Sequence, residues 1–326
     1  MAKSTALARK KAVQQSTKRT AAQRFALEFA RNWQLHLMIL LPFVYLAIFH
    51  YAPMYGIQMA FREFSVRDGI TGSEWRGLGH FIDFFVNNYQ CLNVIMNTLI
   101  LSLYSIFAGF PIPVFLALVI HVNTYKGLKK IAQNISYVPH FISVVILIGI
   151  LRSVLNPMSG ILGSISRNLN IDYFPDIWGE EKAFRHLYVW SGIWQTMGWD
   201  SIIYVSALAG APEELHEAAK LDGASRLRRV WSVDLPAILP TITIMLIMRF
   251  GSVMSVGYQK ALLMQNSGNA RASEIISTYV YKNGINSSNF SYGTAVGLMN
   301  SVVNTSMVVL VNWITNLLTD NEMGLF

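Results

Sequence analysis

Six long apolar stretches interrupt this chain, and they leave few folds open to it. About 20 consecutive apolar residues suffice for a helix to cross a hydrocarbon core of roughly 30 Å. The runs at 35–54, 92–120, 135–155, 187–209, 238–256 and 295–318 meet that length. Charge is correspondingly scarce. Only 13% of residues are charged and 53% are hydrophobic, whereas an average soluble domain is roughly 25% charged. The expected fold class is all-α, a polytopic membrane protein with six transmembrane helices. Pro42 lies in the first run. Pro111 and Pro113 lie in the second, where missing amide donors predict a kink.

The charges that remain are unevenly placed. Eight of the 26 basic residues (Lys3, Arg9, Lys10, Lys11, Lys18, Arg19, Arg24 and Arg31) precede the first run, against one acid, Glu28. A net charge of +8 would suggest nucleic acid in a soluble protein. Ahead of a membrane span it holds the N-terminus in the cytoplasm and favours anionic lipid heads. A disordered, solvated tail is compatible with this. No cleavable signal peptide is expected, because the run that follows is too long and no small-residue cleavage site succeeds it. The expected organisation is a basic cytoplasmic segment at 1–32 and a six-helix domain at 33–326, with both termini on the cytoplasmic side. Expected inner segments hold fifteen basic residues and outer ones nine; without the leader the figures are seven and nine. The leader therefore sets the orientation. The outer loops are rich in Trp, Tyr and Gly (Trp75, Gly77, Gly79, Tyr173, Trp178, Tyr279, Tyr281), residues that serve as interfacial anchors or contact an external partner or substrate.

Between the fourth and fifth runs, residues 211–236 are polar yet helix-forming. Pro212 suits a first helical position, and Glu213 and Glu214 complement the positive end of a helix dipole. Leu215, Ala218, Ala219 and Leu221 make an apolar, small-residue face. Gly223 is a natural stop, after which 224–233 can form a second short helix bearing Arg226, Arg228 and Arg229, and Pro236 opens the next span. Two short helices with a glycine elbow form a compact knob, suited to a groove on a protein partner.

The pattern Glu217-Ala218-Ala219, Asp222-Gly223-Ala224 and then Leu235-Pro236 resembles the cytoplasmic coupling loop of permease subunits of binding-protein-dependent ABC importers. Further segments resemble the carbohydrate branch, in particular permeases for oligosaccharides and alginate. They include Tyr51-Ala52-Pro53-Met54-Tyr55-Gly56, Tyr137-Val138-Pro139-His140-Phe141 and Tyr292-Gly293-Thr294-Ala295. The likeness runs from about residue 32 to the C-terminus. It implies a type I importer permease fold in the bacterial inner membrane. Glu217, Ala218, Ala219, Asp222 and Gly223 would contact an ATPase. The implied partners are a second six-helix permease (a different, paralogous chain), two ATP-binding subunits, an extracytoplasmic solute-binding protein, membrane lipids and a carbohydrate. Nucleic acid is not among them. ATP and Mg would be held by the partners, since this chain has no GxxxxGK[ST] phosphate loop and is not expected to be an enzyme. Peptide or other small-solute import is the alternative at the level of cargo. A stand-alone secondary transporter would want an inverted repeat or several buried carboxylates, and neither is evident.

Cys91 is the only cysteine, and the seven histidines show no zinc-ligand spacing, so no metal is expected. Ionisable groups inside spans are costly and face a bundle interior or a water-filled cavity. Asp200 and Arg249 fall near the middles of the fourth and fifth runs and are expected to approach one another, either to order the bundle or to meet a hydroxyl-rich or acidic sugar. Ser252 and Gln259 extend a polar stripe from Arg249, with Lys260 at its outer end. Trp194, Gln195 and Trp199 could stack on and read a sugar, although tryptophans there are more often belt residues. Asn300 and Asn304 follow Gly293 and Gly297 along the sixth run, offering hydrogen bonds to a sugar or another helix.

Overall fold

A computed structural model describes residues 29–169 and 175–318. Tyr173 and most of the basic leader lie outside them. The chain separates into two compact units, Met1–Gln58 and Met59–Phe326.

In the first unit, α1 (Trp33–Leu46) carries Pro42 and buries none of its residues. It continues through a π turn at Ala47–Tyr51. Its exposed side chains include Leu41 and Phe43. A helix apolar all round that its own unit does not bury belongs in lipid or against other protein.

The second unit opens with a small antiparallel ladder that pairs Arg62 with Trp75 and Glu63 with Glu74. Next come α2 (Cys91–Gly109) and α3 (Pro111–Val122), which meet at Phe110; its backbone stays αR and its amide donates to the Ile106 carbonyl at 2.9 Å, so the two run on as one apolar helix. The third run is not one straight helix. It divides into α4 (Lys126–Tyr137), a 3-10 turn at Val138–Phe141 and α5 (Val144–Leu155), bent by 95°. Pro139 sits in that turn, and Ser143 restarts the helix as an N-cap, its Oγ accepting from the Ile146 amide at 3.3 Å.

Next, α6 (Glu181–Ala209) is the axis of the unit. It packs on α2, α3, α4 and α9 (Leu235–Phe250). Phe184, Val189 and Ile193 of α6 join Leu101 of α2 and Ile148 of α5 in one core cluster. Tyr204 and Leu208 join Val114 and Ala117 of α3 and Ile238 of α9 in another. Contact with α4 is backbone to backbone, for a Cβ at Gly198 would lie 1.9 Å from the Ser136 carbonyl oxygen.

Beyond α9 come the short helices α10 (Tyr258–Met264) and α11 (Ile276–Val280), with a single turn at Ala270–Ser273 between them, and then the long α12 (Phe290–Leu318). Tyr279 is not an interfacial anchor. It is buried, and its hydroxyl bonds to Asn88 Nδ2 at 3.0 Å and Tyr292 at 2.9 Å. Trp178 likewise packs against the core. Gly293 packs closely against Gly284, while Gly297 meets nothing within 4 Å.

Among the described residues, four helices are long and apolar enough to cross a membrane (Trp33–Phe61, Cys91–Val122, Arg226–Phe250 and Phe290–Leu317), or five if the bent pair is one span. At 29 residues, α6 is about 44 Å long, but Gln195, Thr196 and Asp200 make its middle less apolar.

Candidate functional site

The loop that follows α6 has the shape its composition predicts, with one shift. Pro212 is the N-cap of α7 (Glu213–Leu221) rather than its first residue, and Glu213 and Glu214 occupy the first turn. The helix closes in a Schellman motif. Gly223 adopts φ +76°, its amide donates to the Lys220 carbonyl at 3.1 Å, and the Ala224 amide donates to that of Ala219 at 2.9 Å. Ser225 caps α8 (Arg226–Arg229), its Oγ accepting from the Arg228 amide at 3.3 Å. A π turn, Val230–Asp234, then feeds α9. No residue of α7 is buried. Glu217, Ala218, Asp222 and Gly223 are exposed and Ala219 is half-buried. Leu221 is 90% exposed, an apolar tip that no part of the described chain covers. The hydrogen bonds fix the elbow, and the exposure leaves it available to a partner.

Deeper in the bundle, a cavity of about 240 Å³ opens between α2, α6 and the end of α9. Arg249 Nη2 donates to Asp200 Oδ2 at 2.7 Å, and Thr196 Oγ1 donates to the same oxygen at 3.1 Å. The Arg249 side chain remains 53% exposed and lines the opening. Gly192, Ser252 and Ser255 complete a polar wall. A separate polar concavity of about 640 Å³ is lined by Arg152, Asp176, Trp178, Gln265 and Asn266.

A family model described as binding-protein-dependent transport system inner membrane component matches residues 92–320. The chain belongs to that family. This permease is 36% identical over 295 residues to the polygalacturonan/rhamnogalacturonan transport system permease protein YteP of Bacillus subtilis, spanning 90% of this chain and 91% of that one. It is also 36% identical to LplB of the same organism, over 91% and 92% of the two chains. A crystal structure of a bacterial alginate ABC transporter, in complex with an alginate pentasaccharide-bound periplasmic protein, matches with a TM-score of 0.82. The identity there is 33%, and the match covers 93% of this permease and 100% of that chain. The all-α type I permease fold follows, and the family is a transporter membrane component rather than a catalyst.

The residues singled out on the permease's expected pathway divide sharply. Asp200, Arg249 and Ser252 line the cavity. Arg249 does so from the last turn of α9 rather than from mid-span, because the helix ends at Phe250. Gly251 follows, and a turn replaces the expected continuation to residue 256. That break also removes the polar stripe, since Gln259 sits on α10. Lys260 is buried: its Nζ donates to the Tyr188 carbonyl at 2.8 Å and lies 4.8 Å from that ring's centroid. Burial pushes its ammonium down to about 8.

On α6, Trp194, Gln195 and Trp199 turn away from the cavity. Gln195 Nε2 donates to the Ile142 carbonyl at 2.6 Å, and Trp199 stacks on His140 with centroids 4.4 Å apart. Both brace the 95° bend. Asn304 is a fastener: its Oδ1 accepts from the Met254 amide and its Nδ2 donates to Ser255 Oγ, both at 2.8 Å. Asn300 does not line the cavity either. Of the wall residues that sequence reasoning missed, Gly192 and Thr196 precede Asp200 at four-residue intervals. That helical spacing of small and polar residues was the available signal.

Proposed function

We propose that this permease translocates an acidic oligosaccharide into the cytoplasm as part of an ATP-driven importer. It would pair with a second, paralogous six-helix permease above two ATP-binding subunits, with an extracytoplasmic solute-binding protein delivering the cargo. On this reading α6 serves as the sixth span, residues 1–32 and both termini are cytoplasmic, and residues 211–236 are the coupling loop. Glu217, Ala218, Ala219, Asp222 and Gly223 would contact the ATPase. The observation that carries the reading is the exposed α7, whose elbow is fixed between spans by a Schellman cap. A mobile ion-coupled carrier has no use for such a peg, whereas a nucleotide-driven one must transmit force through it. Relatives named for polygalacturonan, rhamnogalacturonan and alginate support an acidic polysaccharide as cargo. The exposed guanidinium of Arg249 suits a uronate, because charge-assisted hydrogen bonds to carboxylate are strong and directional. The polar concavity at Arg152 suits the delivering protein or its sugar.

Substituting Arg249 with methionine tests the substrate role. Loss of a charged hydrogen bond costs roughly 1.5–3 kcal/mol, so uptake of a uronic oligosaccharide should fall about 10- to 100-fold. Asp200→Asn in the same chain keeps the cavity from holding an unpaired charge. Unchanged uptake in the double variant would mean that the pair only orders the bundle.

A further inference from the structure

The fold gathers three residues that lie far apart in the chain. His121 ends α3, His216 lies in α7, and Asp234 closes the π turn before α9. Asp234 Oδ1 is 3.1 Å from His216 Nε2 and 3.4 Å from His121 Nε2. All three ligand atoms fall within 4.8 Å of one another. We propose that they bind a divalent transition-metal ion of the zinc class, which clamps the coupling loop to the helices behind it.

Three observations carry this. Asp234 is 2% exposed, and its Oδ1, like His216 Nε2, is buried without a hydrogen-bond partner. The two atoms face each other at contact distance without hydrogen-bond alignment, an expensive arrangement for polar atoms out of water. Next, the spacing suits coordination. At a metal–ligand distance of about 2.0–2.1 Å, the edge of a tetrahedron is about 3.3–3.4 Å, close to both measured histidine–carboxylate separations. Two imidazoles and a carboxylate are a donor set that zinc favours. The His121 and His216 side chains are 25% and 19% exposed, which leaves His121 room to close on the ion and a fourth position open to water. Finally, the site has mechanical use. With no buried residue, α7 packs only lightly on the rest of the described chain. An ion shared by α3, α7 and the root of α9 would make that peg stiff.

The test uses the full chain, purified without a histidine tag and stripped of metal with a chelator, then titrated with cobalt(II). One equivalent per chain, a visible band from nitrogen and oxygen ligation, and displacement by zinc are expected. His216→Gln and Asp234→Asn should each weaken cobalt binding at least tenfold, and His121→Gln, at the more exposed ligand, provides a variant with the smallest risk to folding. Absence of the band in the unsubstituted chain would overturn the proposal and leave a plain histidine–aspartate ion pair. Undiminished cobalt binding in the folded His121→Gln and His216→Gln variants would overturn it equally.

Discussion

Replacing Gly223 with valine should uncouple ATP hydrolysis from transport while the permease still reaches the membrane. Gly223 holds φ +76°, and a Cβ there would meet nothing within 4 Å. The penalty is therefore purely one of backbone conformation. An L-residue in this region costs roughly 1–2 kcal/mol, and a β-branched one is a genuine outlier there. The variant chain escapes that cost by unwinding the elbow. It thereby gives up the Gly223 and Ala224 amide bonds to the Lys220 and Ala219 carbonyls, and α7 loses its fixed angle to α8. None of this touches the buried clusters, so insertion and accumulation should be near normal. Sugar-stimulated ATPase activity and uptake should each fall at least about tenfold, the consequence of roughly 1.4 kcal/mol or more of lost coupling. Gly223→Asn, which tolerates the left-handed region, should retain most of both. Full coupling in the valine variant would refute a rigid-peg role for the loop.

An opposite phenotype is expected from Gly198→Ala. Alanine normally stabilises a helix interior by about 1 kcal/mol relative to glycine. Here the added carbon would lie 1.9 Å from the Ser136 carbonyl oxygen and 2.3 Å from its carbon. Neither is the end of a flexible side chain, so α4 and α6 must separate. Overpacking of this kind costs about 1–3 kcal/mol and occasionally more. It falls on the helix that joins two of the core clusters. The variant should accumulate poorly and melt at lower temperature in detergent, before coupling can be assayed at all. Gly297→Ala is the matched control, since nothing lies within 4 Å of that position, and it should be neutral or slightly stabilising. Equal melting temperatures for the two variants would show that the close approach of α4 and α6 is not real.

Local chemistry made parts of this molecule legible before any coordinates. The elbow could be read because glycine at a helix end and proline at a helix start have few other uses. The seam between α2 and α3 falls where two prolines withhold their amides. The pairing of Asp200 with Arg249 followed because an intramembrane charge needs a partner. What escaped was whatever depended on which way a helix faces. Gln195 and Trp199 share α6 with Asp200, and only their contacts with Ile142 and His140 at the bend reveal that they support it rather than the cavity. The end of α9 at Phe250 was hidden inside an apolar run, since one glycine seldom stops a helix. The cluster of His121, His216 and Asp234 had no sequence spacing to betray it, because three separate elements supply its members.

A reactive thiol on the peg tests the coupling claim most directly. Cys91 is the only cysteine in the chain and is buried, and Ala218 is exposed, so Ala218→Cys places one accessible thiol on α7. In the assembled, ATP-hydrolysing complex, that thiol should be shielded from an aqueous maleimide. A short thiol-to-amine cross-linker should join it to the ATP-hydrolysing subunit. Free labelling, with no cross-link in an active complex, would contradict a force-bearing contact at this loop.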